Sequence, residues 1–498
     1  MTADEPSTDT VRDSPDAVDS VGRPAPTEPW GAAQRLPSGN PALDQVLGGG
    51  LLTNSITLLA GLPGTGKTML AQQYATANAS PERPALYLTT VSEPFDKLIR
   101  YAENLTFFDQ PSIGRSLLFE DVGGVLREGG LPALLETLDQ HLLTSAPGLI
   151  VIDSFKALRG FAAAEADYRR FLHDVAGRLS ALAVSALWLG EYTPEEVREA
   201  PEFAVADAIL HLTGATRGER ALRLLVVVKL RGSGFASGQH AYRLSNAGVS
   251  VFPRLADPGS DSLPDAAARP QRRRVSSGVA ELDGMLDGGY TAGSATLVAG
   301  PAGAGKTLLG LHFAATGAQA GEPALVASFQ ETPEQLRQTA RGLGLQLPAG
   351  LHLAHWVPVD LYVDEWVHEL LAMISSLGLR HVVVDSIGEL QQATRDEGRF
   401  RELLFSLVHR ARRQQVTVLL TLEVADLFGA MRLSDTAISH LSDNVLMLQY
   451  LRGDSQLKRA LTVLKTRGSA HDPSIRQFEI GSGGLRLGDP FPIAQPLS

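Results

Sequence analysis

Residues 300–307 read GPAGAGKT, and residues 61–68 read GLPGTGKT. Both match GxxxxGK followed by Ser or Thr, in which glycines let backbone N–H groups approach a phosphate, the lysine reaches its outer oxygens and the hydroxyl binds Mg²⁺. Each stretch follows an apolar run and precedes a helical pattern, so we predict two phosphate-binding loops rather than two glycine-rich turns. The predicted binding residues are Gly61, Gly64, Thr65, Gly66, Lys67 and Thr68 in the first loop, and Gly300, Gly303, Ala304, Gly305, Lys306 and Thr307 in the second.

The region around this loop occurs twice in the chain. Further pairs of segments match in the same order: SGNPALDQVLGGGL at 38–51 with SGVAELDGMLDGGY at 277–290, LIVIDS at 149–154 with HVVVDS at 381–386, and VVKLRGS at 227–233 with VLKTRGS at 463–469. Because the matches keep a nearly constant offset of about 240 residues, they indicate a duplicated domain.

Composition sets the predicted domain boundaries. Residues 1–33 are rich in Asp, Pro, Ser and Thr with few large apolar residues, which is typical of a disordered acidic tail. A similar stretch divides the chain in the middle and is predicted to be a linker. We therefore expect a first phosphate-loop domain at 34–254, a linker at 255–274, a second such domain at 275–487 and a short C-terminal tail at 488–498.

Short apolar runs alternate with helical segments in each half, for example SITLLAG followed by TMLAQQYATANA. Strands that alternate with helices favour right-handed crossovers and a mainly parallel sheet with helices on both faces, which is an α/β fold. Ligands of such sheets bind beyond the carboxyl ends of the strands. The phosphate loops lie where this rule places a ligand.

Overall composition excludes several classes of protein. The 498 residues contain no cysteine, which excludes disulfides and thiolate metal sites. The net charge of −11 argues against a general nucleic-acid binder. No apolar run approaches the roughly 18 residues that a membrane span needs, and the N-terminus lacks the pattern of a secretory signal. We expect a cytoplasmic protein without a membrane segment.

Strand-end acids are candidates for metal binding and catalysis. Asp153 and Asp385 close apolar strands, where a carboxylate can hold Mg²⁺ through water, although either could instead cap the next helix. Glu93 and Glu331 are predicted to end the strand after the phosphate-loop helix and to polarise water, the alternative being a helix-start acid. For two further strand-end acids, orienting water and capping remain equal alternatives: Glu191 and Glu423.

The KLRGS and KTRGS segments carry paired cations outside the phosphate-loop unit. The cations are Lys229 and Arg231 in the first half, and Lys465 and Arg467 in the second. They could reach a γ-phosphate held by a neighbouring subunit, as arginine fingers do. From the residues alone, solvated charges on a hairpin are the favoured alternative.

These motifs together resemble the KaiC family of RecA-fold ATPases over about residues 37–487. The resemblance implies two tandem RecA-like domains, and a hexamer of two stacked rings with ATP between adjacent subunits. It also implies that the KxRGS cations contact the γ-phosphate of a neighbouring subunit.

The chain departs from the family pattern at two kinds of position. Ser92 and Gln330 stand where the family has the first of two paired glutamates, which acts as general base. Neither side chain accepts a proton near pH 7, so we expect hydrolysis to be slow or to use the remaining acid. The adjacent Ser and Thr phosphoacceptors of the family fall on Ser439 and His440. Ser439 is therefore the candidate phosphoacceptor, and His440 beside it could take the serine proton.

The leading hypothesis is a KaiC-like ring ATPase that binds ATP and Mg²⁺, is a candidate autokinase at Ser439, and acts as a signalling or clock-type switch through unknown regulatory proteins. Two alternatives stay open at this point. One is a DNA-dependent ATPase of the recombinase or helicase type, which the acidic charge disfavours. The other is a non-catalytic scaffold in which nucleotide binding only controls assembly.

Overall fold

The computed structural model describes residues 34–90, 95–193, 195–217, 220–255, 273–359, 361–394, 397–424, 438–452 and 456–491. The predicted acidic tail and most of the predicted linker lie outside these residues. So do Ser92 and Glu93.

The first repeat alternates strands with helices after an opening hairpin. Its strands are β1 (Arg35–Leu36), β2 (Leu51–Leu52), β3 (Ile56–Gly61), β4 (Ala85–Thr89), β5 (Leu117–Asp121), β6 (Leu149–Asp153), β7 (Ser185–Gly190), β8 (Ala208–Arg217), β9 (Arg220–Leu230), β10 (Gln239–Ser245) and β11 (Gly248–Phe252). Its α-helices are α1 (Pro41–Val46), α2 (Lys67–Asn78), α3 (Phe95–Ala102), α4 (Gly123–Thr144), α5 (Glu165–Ala181), α6 (Glu196–Glu199) and α7 (Glu202–Val205). Two 3-10 helices span Gln110–Ser112 and Phe155–Phe161 in the described part of this repeat.

The second repeat follows the same order. Its strands are β12 (Arg274–Val275), β13 (Tyr290–Thr291), β14 (Ala295–Gly300), β15 (Ala324–Ser328), β16 (Leu351–His355), β17 (His381–Asp385), β18 (Thr417–Glu423), β19 (Asn444–Arg452), β20 (Leu457–Thr466), β21 (Arg476–Gly481) and β22 (Gly484–Pro490). Its helices are α8 (Ala280–Met285), α9 (Lys306–Gln319), α10 (Pro333–Gly342), α11 (Val363–Ser376), α12 (Ile387–Ala393), α13 (Glu397–Arg413) and α14 (Ile438–Leu441).

The large sheets of the two repeats have the same topology over the described residues. The strand order is β5-β4-β6-β7-β3-β8-β9-β10-β11 in the first and β16-β15-β17-β18-β14-β19-β20-β21-β22 in the second. The strands from β16 to β19 pair in parallel, and β20, β21 and β22 continue the sheet antiparallel. Both predictions, the α/β class and the duplicated, mainly parallel sheet, are confirmed.

The phosphate loops follow β3 and β14, the central strands of their sheets. All six residues of each strand are buried, because helices cover both faces. In the second sheet, alternate residues of β14 enter different cores: Leu297 packs with Trp366 of α11, whereas Val298 packs with Phe313 of α9. Packing on both faces holds the carboxyl end of the strand, where the loop begins, in a fixed position.

The described residues divide into two compact units. The first unit consists of the described residues within Met1–Thr213, Val226–Ser237 and Leu244–Ser250. The second unit consists of the described residues within Gly214–Leu225, Gly238–Arg243 and Val251–Ser498. β22 continues to Pro490, and Leu255, in the predicted linker, is buried. The domain boundaries taken from the sequence stay a prediction. Among the described residues, no helix is long and apolar enough to cross a membrane.

Candidate nucleotide-binding sites

Each phosphate loop joins the end of a buried strand to the start of a helix. β3 ends at Gly61 and α2 begins at Lys67, and β14 ends at Gly300 and α9 begins at Lys306. The first-turn N–H groups of a helix have no intrahelical partner, so both loops present donors suited to an anion.

Glycine is required at the residue before each helix. Gly66 has φ 88° and Gly305 has φ 102°, values that side chains with a Cβ rarely adopt. A Cβ on Gly66 would also lie only 2.6 Å from Cδ2 of Leu244. The glycines of the sequence motif are therefore needed to form the loop itself, before any ligand binds.

The two lysines are buried inside their loops. Nζ of Lys67 donates to the carbonyl oxygens of Gly61 and Leu62, both at 3.0 Å. Nζ of Lys306 donates to Gly300 O at 2.9 Å and Pro301 O at 2.8 Å. Burial lowers the pKa of both ammonium groups. Nearby carboxylates oppose this shift: Glu191 and Asp153 beside Lys67, and Glu423 and Asp385 beside Lys306.

The structure brings each loop hydroxyl to its strand-end aspartate. Thr68 Oγ1 donates to Asp153 Oδ2 at 2.9 Å, and Thr307 Oγ1 donates to Asp385 Oδ2 at 2.6 Å. A hydroxyl and a carboxylate beside a phosphate-binding loop are hard oxygen donors, the ligand type that Mg²⁺ prefers. The donor set at both sites therefore fits a magnesium ion shared with bound phosphates.

Glu331 lies near Asp385, the acid that accepts from Thr307 of the second loop, and three residues beyond the end of β15. The strand stops at Ser328 because its Oγ accepts a hydrogen bond from the N–H of Glu331 at 3.0 Å, which forms a turn. The sequence had placed this acid at the strand end itself. Oε2 of Glu331 is buried and has no hydrogen-bond partner among the described residues. Burial first, and then the charge of Asp385, raise the pKa of this carboxyl.

Gln330 occupies the position next to that acid and is exposed. Its Nε2 donates to Oε1 of Glu389 at 3.4 Å. An amide can hold this neighbour but cannot accept a proton near neutral pH. Of the two positions, Glu331 alone carries an ionisable group.

The other strand-end glutamates lie beside the loop lysines. Oε2 of Glu423 is 4.0 Å from Nζ of Lys306. Glu191 lines a cavity of about 990 Å³ at the first loop, together with Lys67, Asp153 and Lys156. This volume lies within the range typical of small-molecule sites.

The KxRGS cations lie at the opposite end of the sheet from the loop of their own repeat. In the second sheet, Thr466 pairs with Asn444, and Asn444 pairs with Thr296 near the amino end of β14, whereas the loop starts at its carboxyl end. Lys465 Nζ donates to Ser442 O at 2.9 Å, and Arg467 Nη2 donates to His440 O at 2.8 Å.

The first repeat makes equivalent contacts. Lys229 Nζ donates to the carbonyl oxygens of Phe203 and Ala204, both at 3.3 Å, and Arg231 pairs with Asp207 at 3.2 Å. In both repeats, then, these cations bind backbone or acidic groups of their own chain far from their own phosphate loop.

Ser439 lies in the short helix α14, and its side chain falls outside the described residues. The backbone of this helix precedes β19 and lies at the same end of the sheet as Lys465 and Arg467. His440 is exposed.

Sequence reasoning missed several side chains at these sites. Tyr87 OH donates to Asp153 Oδ2 at 2.9 Å, and Thr421 Oγ1 donates to Asp385. Lys156 lines the first cavity. The first two lie on strands adjacent to the aspartate strand, a neighbour relation that depends on strand order. Lys156 had a local signal, because it follows the IDS motif by two residues.

A strand-loop-helix unit with lysine, hydroxyl and strand-end aspartate, present twice on one topology, defines the class of tandem P-loop ATPases. The sequence model of the KaiC ATPase family matches residues 36–256 and 275–490. The chain belongs to the KaiC family, and the predicted family and enzyme class are confirmed.

Relatives match nearly the whole chain. The circadian clock oscillator protein KaiC of Picosynechococcus sp. is 30% identical over 466 residues, which cover 90% of this chain and 88% of the relative. The circadian clock oscillator protein KaiC 1 of Synechocystis sp. is 28% identical over 485 residues, covering 94% and 92%. The circadian clock protein KaiC3 of Synechocystis sp. is 28% identical over 478 residues, covering 92% of each. The recombinase or helicase alternative is not favoured.

Proposed function

We propose that this KaiC-family ATPase assembles into hexameric rings in which each ATP lies between two subunits, and that it acts as a clock-type regulatory switch. The observation that carries the proposal is the position of the KxRGS cations, which lie at the end of the sheet opposite their own phosphate loop. A cation at that end cannot reach the nucleotide of its own repeat, and we assign it to a nucleotide held by a neighbouring subunit. The names of the relatives, which are circadian clock proteins, support the regulatory role.

At each site the buried lysine binds the β- and γ-phosphate oxygens of ATP, and the first turn of the following helix adds its N–H groups. Thr68 with Asp153, and Thr307 with Asp385, would hold Mg²⁺, which when bound neutralises charge on the β- and γ-oxygens. Glu331 accepts the proton of the attacking water at the second site, and Glu93 does so at the first. Trans cations from the neighbouring KxRGS segment stabilise the charge that develops on the γ-phosphate.

Nucleotide-dependent assembly tests the shared sites. We expect ATP with Mg²⁺ to raise the mass measured by light scattering to that of a hexamer, and Lys67→Ala to weaken this rise because the first loop loses its phosphate contact. Arg170→Ala is the matched control, since this cation lies on the surface of α5 and pairs with Asp167. An oligomer of the same mass with and without ATP, in the parent and in Lys67→Ala, would contradict a nucleotide shared between subunits.

Autophosphorylation at Ser439 is a second part of the proposal. Helix α14 lies away from the second phosphate loop of its own chain, so the phosphoryl group would come from ATP bound by the adjacent subunit. The serine oxygen attacks the γ-phosphorus, ADP leaves, and the serine proton passes to the imidazole of His440. Lys465 and Arg467 are near enough to α14 to steady the transferred group.

Labelled ATP tests this acceptor. With Mg²⁺ we expect label on Ser439, and His440→Ala should reduce it because the proposed base is removed. Ser375→Ala, an exposed serine on α11, should keep the label. Label that persists in Ser439→Ala overturns the acceptor, and label that is unchanged in His440→Ala overturns the histidine base.

A further inference from the structure

A lysine fixes the turn that follows β7 at the wall of the first nucleotide cavity. Lys156, the second residue of the 3-10 helix Phe155–Phe161, lines that cavity. Its ammonium donates to the carbonyl oxygen of Glu191 at 2.5 Å, and to Oε1 and Oε2 of Glu196 at 2.7 and 2.8 Å. Glu196 Oε2 also accepts from the N–H of Thr193 at 2.9 Å. One ammonium group therefore ties together both sides of the turn.

A buried hydrogen-bond network on the protein side of the turn also holds it in place. Tyr192, the residue after Glu191, is 1% exposed, and its OH donates to Oε1 of Glu202 at 2.8 Å. Tyr168 OH donates to the same oxygen at 3.2 Å. The Lys156 ammonium lies 5.0 Å from the centre of the Tyr192 ring, a cation–π distance. Glu191 is thus held through its own carbonyl and through the side chain of its neighbour.

The position of Glu191 affects the phosphate-binding lysine. Glu191 lines the same cavity as Lys67 and Asp153, so its carboxylate is placed near the ammonium group that would bind phosphate. In the second repeat, Gly388 stands at the place of Lys156 when the IDS and VDS motifs are aligned, so this position supplies no ammonium group.

We propose that Lys156 is a positioning residue for ATP hydrolysis at the first site, where it holds Glu191 at the phosphate end of the cavity. Its ammonium acts through Glu191, so its effect on turnover depends on that carboxylate. The inference rests on the proposed ATP hydrolysis at the first site. The parent protein, which keeps Lys156, is assayed separately to measure that activity.

The full-length chain with Lys306→Ala isolates the first site. In this parent we expect Lys156→Met to lower kcat on the order of tenfold to a hundredfold, with a much smaller change in KM, because misplacing a group near the reacting phosphate slows chemistry more than binding. Lys156→Arg keeps a cation and should retain most of kcat. Arg159→Met is the matched control, since Arg159 lies on the same 3-10 helix but pairs with Glu165.

A double-mutant cycle separates positioning from a general structural role. Glu191→Gln should cause a loss similar to that of Lys156→Met, and the double variant should lose no more than Glu191→Gln alone. Additive losses, or an unchanged kcat in Lys156→Met, overturn the inference. If Lys156→Met does not fold, Glu196→Gln frees the same ammonium, and a parental kcat in that variant overturns it too. A parent without turnover overturns ATP hydrolysis at the first site together with this inference.

Discussion

At the scale of single residues, the two nucleotide sites differ although the repeats share one topology. Asp153 receives its second hydroxyl from Tyr87 on β4, whereas Asp385 receives it from Thr421 on β18. In the strand order β4 lies on one side of the aspartate strand and β18 on the other. By sheet register, the second repeat has Val326 at the position of Tyr87, and the first repeat has Leu189 at the position of Thr421. Neither Val326 nor Leu189 carries a hydroxyl. Each repeat has therefore adopted its own way of orienting the aspartate.

The effect on ATP hydrolysis of having Gln330 in place of a glutamate can be measured at the second site. Gln330→Glu places an ionisable acid next to Glu331, and it should raise phosphate release by up to the 10²- to 10⁴-fold that general-base catalysis typically supplies. Because Gln330 contacts Glu389 at 3.4 Å, the new acid faces a like charge. Gln330→Met is the control and should not raise the rate. A Gln330→Glu chain that binds ATP but releases phosphate at the parental rate would place position 330 away from the attacking water.

The raised pKa of Glu331 predicts the pH dependence of the second site. A base must be deprotonated, so the rate should fall as pH falls through this pKa, which lies above the ordinary glutamate range because of burial and Asp385. In a Lys67→Ala background, phosphate release should show this acid limb. Glu331→Gln should reduce the rate on the order of 10²-fold or more. If Glu331→Gln releases phosphate at the parental rate and with the same decline at low pH, Glu331 is not the base.

At the scale of helices and strands, local sequence was sufficient where the chemistry is local. The loop glycines, Lys67 and Thr68 lie within one strand-loop-helix unit, and the β3 and α2 predicted from the sequence are confirmed. The contact from Tyr87 to Asp153 was not predictable, because it joins strands separated by a crossover whose placement depends on tertiary packing. The same holds for the distance between the KTRGS segment and the second loop, which only the register of β19 and β20 fixes.

Two glycines illustrate the difference between a required and a replaceable backbone position. Gly177 lies inside helix α5, and a Cβ there would meet nothing within 4 Å, so Gly177→Ala should stabilise the protein by about 0.5–1 kcal/mol. Gly66→Ala should destabilise it and weaken nucleotide binding, because φ is 88° and the Cβ would clash with Leu244. Urea unfolding without nucleotide measures both changes. Equal effects of the two substitutions would contradict this account of the loop.

At the scale of the whole molecule, duplication gives one chain two nucleotide sites and two sets of cations. The cations of each repeat bind backbone carbonyls or an acid at the amino end of the central strand, while its loop lies at the carboxyl end. In the proposed head-to-tail ring these two ends would meet between neighbours, and ring closure would let every subunit supply both halves of a site. The net charge of −11 disfavours nucleic acid as a partner of the proposed ring.

Mixing of subunits tests this arrangement directly. A chain with Lys306→Ala lacks the phosphate-binding half of the second site, and a chain with Lys465→Ala and Arg467→Ala lacks the proposed trans half, so neither alone should hydrolyse ATP there. Rings formed from equal amounts of both should regain activity, because about a quarter of their interfaces join an intact loop to intact cations. Both chains carry Glu93→Gln, which removes the base proposed for the first site but keeps the phosphate contact of Lys67, and assembly is confirmed by light scattering before the assay. Mixed rings that stay inactive, or a Lys465→Ala/Arg467→Ala ring with parental activity, would show that these cations do not complete the site of a neighbour.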